Sequence, residues 1–161
     1  MKKMLVLLVC LAYLGVASAK DKDDNLFEFN RLTTVVAPFT GTANPIRGIA
    51  GGGAPWQIAS GHAELSATGE LEVHVHGLVL VSTGSNPVAN FTFILSCQSK
   101  DAAGAPIFEN LVPGSAPATT TGDANFEGLV RLASPCIAPI VFVATPATAT
   151  TPSRWLAVTG F

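Results

Sequence analysis

Positive charge is scarce in this chain. Lysine and arginine total 9 against 11 aspartates and glutamates, and only 12% of the 161 residues are charged. Between Leu32 and Ser99 the sole lysine or arginine is Arg47. Gripping nucleic acid by its phosphates needs a basic face, so the balance argues against that class. Tyrosine is nearly missing as well, with Tyr13 its one instance. An outer-membrane barrel needs aromatic girdles and strands free of the prolines scattered here, so that reading fails. A true immunoglobulin domain would carry a tyrosine corner and a tryptophan between its bridged cysteines. Trp56 and Trp155 both lie outside the Cys97–Cys136 interval. After Val16 no apolar run approaches the length of about 20 residues that a membrane-spanning helix requires. Helix signals, a Gly-x-Ser-x-Gly elbow and Cys-x-x-Cys zinc spacing are all missing beyond the N-terminal region.

What is present begins with a leader. Lys2 and Lys3 make a cationic start, Met4 to Val16 is apolar, and Ala17-Ser18-Ala19 is a small-x-small cleavage site. Residues 1–19 therefore read as a signal peptide, and the compartment as secreted, extracellular or periplasmic. A lipoprotein leader would use Cys10, but Val9 is not the small residue expected before it. The charged run Lys20 to Asn25 reads as a disordered spacer, and residues 26–161 as one domain.

Removal of the leader leaves two cysteines, Cys97 and Cys136. In an oxidising compartment they are expected to form one disulfide, with a pair of buried thiols as the rival reading. Turn residues recur every ten positions or so, as in sandwiches and barrels. Candidate strands are Phe27 to Val36, Gln57 to Ser66, Glu70 to Ser82, Val88 to Ser99 and Pro106 to Leu111, then Ala124 to Ala133, Ile137 to Thr145 and Arg154 to Phe161. Phe91, Phe93, Leu95 and Cys97 share one face of their strand, with Thr92, Ser96, Gln98 and Ile94 opposite. That alternation predicts two sheets packed face to face with water outside. The expected fold is all-β: an antiparallel β-sandwich of about eight strands, immunoglobulin-like in architecture without the immunoglobulin hallmarks. Pro113 to Gly122 and Ala144 to Ser153 read as exposed connecting loops, or else as glycosylated or partner-facing ones. Asn90-Phe91-Thr92 fits a glycosylation sequon but sits in a strand behind a leader of bacterial type.

Four stretches carry a resemblance: Asn44 to Gly48, Gly51 to Trp56, Gly69 to Val73 and Ser134 to Val143. Together they resemble a family of uncharacterised exported bacterial proteins, over most of the chain after the leader. That family has no assigned activity, so the resemblance implies export and a β fold only. It further implies that arginine often replaces His74 and His76, so a metal role there would not be a family trait.

The chemistry-bearing residues gather on one hairpin. Gly51-Gly52-Gly53 reads as a tight turn, since no helix or P-loop lysine follows it. Trp56 beside it reads as core, or as a sugar-stacking platform. Ser60 to His76 reads as two strands around Ala67-Thr68-Gly69, a three-residue turn with glycine in the left-handed position. This loop pairs Leu65 with Leu71, Glu64 with Glu72, Ala63 with Val73, His62 with His74 and Ser60 with His76. It puts every histidine, His62, His74 and His76, on one polar face with Glu64 and Glu72. Opposed β-carbons stand about 5 Å apart, so the imidazoles could share a Zn or Cu ion. The competing account is a solvated sheet face. No catalytic residue and no organic cofactor is indicated. The expected function is non-catalytic, binding an unidentified protein or glycan, with metal binding as the alternative. N-terminal sequencing of exported protein should read Lys20 first; a start at a lipid-modified Cys10, or an uncut leader, would refute the cleavage site.

Overall fold

Alternating apolar positions become strands here, and glycine or proline ends them. The computed structural model describes residues 25–160. The leader, residues 20–24 of the spacer and Phe161 lie outside them. Eleven strands follow one another: β1 (Asn25–Phe29), β2 (Leu32–Thr34), β3 (Trp56–Gln57), β4 (Ser60–Ser66), β5 (Glu70–His76) and β6 (Val79–Leu80) come first. They are followed by β7 (Asn90–Lys100), β8 (Pro106–Pro117), β9 (Ala124–Leu129), β10 (Ile137–Ala144) and β11 (Trp155–Thr159). One sheet has the order β1-β4-β5-β9, a second β2-β11-β10-β7-β8, and β3 pairs with β6 alone. All strand pairings are antiparallel. No helix among the described residues is long and apolar enough to cross a membrane.

The fold is the all-β architecture expected, with the strand divisions corrected. Asn25, assigned above to the spacer, opens β1 and pairs with Ser66. The first expected strand breaks at Asn30-Arg31, so that β1 and β2 join different sheets. The second divides between Gln57 and Ser60, giving β3 and β4. The third breaks at Gly77, where φ is +69° and the N–H turns aside to donate to Asp123 Oδ1. Pro113 to Pro117, expected in a loop, belongs to β8. That strand is the edge of its sheet, where a proline whose nitrogen faces outward forfeits no ladder bond.

One core joins both sheets. Phe93 of β7 stacks on Phe126 of β9 with centroids 4.6 Å apart. Phe91, Leu95, Val141 and Val143 on one sheet, and Ala63, Leu65, Leu71 and Val73 on the other, are fully buried. The outer face of the five-stranded sheet departs from expectation: Thr92, Ile94 and Ser96 are buried too. The segment between β2 and β3 lies against this sheet. Gly51 bridges Trp155, Gly52 N–H donates to Trp155 O, and the Phe39 ring lies 6.4 Å from the Trp155 ring. A β-carbon on Gly51 would stand 2.0 Å from Phe39 O. Gly51 and Gly52 therefore serve close packing, whereas Gly53 is exposed with open space around it. Trp56, only 4% exposed, is core and has no free ring face for a sugar.

Cys97 and Cys136 form a disulfide with Cα atoms 4.8 Å apart. Cys97 is fully buried on the inward face of β7, and Cys136 stands just before β10. The bond thus ties together neighbouring strands, next to the Ile137–Gln98 pair. With the cysteines 39 positions apart in sequence, chain entropy alone makes the bond worth about 4 kcal/mol. Alkylation of denatured, unreduced protein should label neither cysteine. The Cys97→Ala, Cys136→Ala double variant should lose about that energy, read as a lower urea midpoint. Quantitative labelling without reductant would contradict the bridge.

Candidate functional site

The hairpin of β4 and β5 turns at Gly69, where φ is +88° and a β-carbon would lie 2.1 Å from Val130 O. Gly69 N–H donates to Ser66 O, and Glu70 N–H to Ser66 Oγ. The resulting register pairs Leu65 with Leu71, Glu64 with Glu72, Ala63 with Val73, His62 with His74 and Ser60 with His76. These are the pairs the three-residue turn predicts. Burial of Ala63, Leu65, Leu71 and Val73 on one side leaves the histidines and glutamates on the other.

The flanking strands extend this polar face. Glu28 of β1 is opposite Glu64, Glu64 opposite Glu72, and Glu72 opposite Glu127 of β9. Four carboxylates therefore cross the sheet in one row. The adjacent row runs His62, His74, Asn125. No lysine or arginine stands on any of these four strands.

Each imidazole has its own carboxylate. His62 Nε2 lies 2.8 Å from Glu64 Oε1, and Asn25 Nδ2 donates to Glu64 Oε2 at 2.9 Å. His74 Nε2 lies 2.9 Å from Glu72 Oε1, and its Nδ1 lies 2.9 Å from Asn125 Oδ1. With oxygen acceptors at both nitrogens, the doubly protonated ring satisfies them best. His74 is accordingly raised above 6.5, first by Asn125, against some desolvation, and then by Glu72 and Glu64. His76 Nδ1 is bonded to Asp123 Oδ1. That carboxylate also accepts from Thr121 Oγ1 at 2.6 Å, Gly77 N–H at 3.0 Å and Thr119 Oγ1 at 3.2 Å. Thr121 and Gly77 lead in pulling Asp123 down to about 2, desolvation opposes them, and His76 and Thr119 add to the shift.

The five expected metal ligands are thus divided. His62 and Glu64 stand together, whereas Glu72 and His74 form a second pair and His76 turns to Asp123. An open hollow of about 380 Å³ is bordered by His62, His74, His76, Asp123 and Asn125. Among the described residues, one group brings three ligand atoms within 4.8 Å of one another: Glu28, His62 and Glu64. Glu28, Asp123, Asn125 and Glu127 were not assigned to this site from the sequence because they arrive from β1, from the residue before β9 and from β9 itself. The alternation of Asn125 and Glu127 against Phe126 would have placed two of them, had the β5–β9 pairing been known. The chain matches no family model, no curated protein and no solved structure.

The His74 ring protons, followed by NMR, should titrate above 6.5. Asn125→Ala and Glu72→Gln should each lower that midpoint; a midpoint unmoved by both would contradict the assignment. The stability His74 contributes is fully present below 6.5 and is lost as pH rises through its raised folded value. Asp123 has the opposite sign: its contribution holds above 3.8 and is lost as pH falls towards about 2. Asp123→Asn should remove that acid limb of the stability curve.

Proposed function

We propose that the protein works outside the cytoplasm as a non-catalytic binding domain, with the open face of the β1-β4-β5-β9 sheet as its working surface. The leader and the disulfide support export, since such bonds persist in oxidising compartments. Likeness to the exported bacterial proteins named above belongs to the same proposal. Support for the binding surface comes from the carboxylate row Glu28–Glu64–Glu72–Glu127. Like charges placed directly opposite one another weaken a sheet. A face that keeps three such pairs, with no lysine or arginine on its strands, suits a partner that brings positive charge or a dense set of hydroxyl donors. A basic protein segment answers the first description and a glycan the second.

Carboxylate-directed cross-linking of the mature chain in its native exported fraction tests this reading. Cross-links to a partner should map to Glu72 and Glu127, and the Glu72→Gln, Glu127→Gln variant should lose that partner. Retention of the same partner by the double variant would refute the assigned surface.

A further inference from the structure

We propose that Glu28, His62 and Glu64 form a site for a divalent transition-metal ion at the β1 side of this face. The three come together through two independent features of the fold. His62 and Glu64 are two residues apart on β4, so both project from the same side. Glu28 is brought opposite Glu64 by the β1–β4 pairing. One ligand atom from each lies within 4.8 Å of the others, with His62 Nε2 and Glu64 Oε1 already at 2.8 Å. Ligands around a tetrahedral zinc ion, at bonds of about 2.0–2.2 Å, stand roughly 3.3 Å from one another. Glu28 is an exposed side chain and closes the remaining gap by rotation.

Two further observations bear on this site. Asn25 Nδ2 donates to Glu64 Oε2, which fixes the carboxylate with Oε1 turned towards His62, as an outer-shell partner fixes a metal ligand. The ion would replace the His62–Glu64 hydrogen bond, the ring proton of the neutral imidazole moving to Nδ1. It would also offset the repulsion between Glu28 and Glu64. The other histidines are otherwise engaged: His74 faces acceptors with both nitrogens, and His76 is held by Asp123. The site therefore has one imidazole and two carboxylates, with solvent completing the coordination. Imidazole selects zinc or copper over calcium and magnesium, which take oxygen ligands.

Zinc titration of the mature protein against a chromophoric chelator tests the site. Glu28→Gln and His62→Gln should each weaken binding by about tenfold or more, as losing even an outer-shell partner does. The His74→Ala, His76→Ala double variant should bind as wild type does, and magnesium should not compete. Electron paramagnetic resonance of the copper form should show coupling to one imidazole nitrogen. Wild-type affinity in Glu28→Gln, loss of binding in the His74/His76 variant, or coupling to two or more nitrogens would each overturn the assignment. Should His62→Gln unfold, Glu28→Gln decides alone. Glu28 and Glu64 also belong to the carboxylate row of the partner surface. Zinc affinity, however, is read on the purified protein with no partner present, so its failure is distinguishable from retention of the partner by the Glu72→Gln, Glu127→Gln variant.

Discussion

Everything on the polar sheet follows from the register of β4 against β5. A slip of one residue in either strand would send its outward side chains to the core and expose its apolar ones. The buried set Ala63, Leu65, Leu71 and Val73 opposes such a slip through apolar area, and the turn opposes it through backbone conformation. Gly69 is held from two directions, its N–H donating to Ser66 O and its carbonyl accepting from Val130 N–H. A side chain there would meet both a positive φ and the Val130 carbonyl. The turn thus ties the hairpin to the segment just beyond β9. The same contact helps deliver Asn125 and Glu127 beside His74 and Glu72.

The two sheets treat their outer faces differently. Over the five-stranded sheet lies the segment between β2 and β3, anchored by Arg47. Its guanidinium donates to Ser96 O and Ala138 O, both at 2.7 Å, and sits 5.3 Å above the Phe108 ring. Arg47 and Ala138 both adopt left-handed backbone, with φ of 49° and 44°. Such conformations cost a non-glycine residue energy, and the bond between them offsets part of it. Covering this sheet leaves its partner as the one with a long polar face, where His62, Glu64, Glu72, His74 and His76 stand.

Legibility followed the distance over which each feature is determined. The β4–β5 register was readable because Ala67-Thr68-Gly69 and the alternation around it lie within one short stretch. The disulfide was readable by elimination, since two cysteines remain once the expected leader is set aside. The burial of Ser96 was not, because the Arg47 side chain that caps it comes from a segment about 50 residues earlier in the chain. Nor was the strand identity of Pro113 to Pro117 readable. Proline breaks an interior strand but not an edge, and edge position is set by the order of strands in the sheet. Glu28 and Asp123 belong to the same class of miss. Each becomes a neighbour of a histidine only when separate strands are placed side by side.

Stability and chemistry are therefore carried by different parts of this molecule. The disulfide, the Phe93–Phe126 stack and the doubly covered strands β7 and β10 sit where removing a side chain leaves a void or an uncompensated polar group. Glu28, His74, His76 and Glu127 are exposed, and the hydrogen bonds of the two histidines are ones that water can replace. Substitution there changes charge and ligand geometry at little cost to the core. A sheet so supported can keep Glu28, Glu64, Glu72 and Glu127 in line despite their repulsion, because the buried side of the same strands holds the backbone in place. The polar row is tolerated by packing on its reverse face, and its charge stays available to whatever binds from solvent.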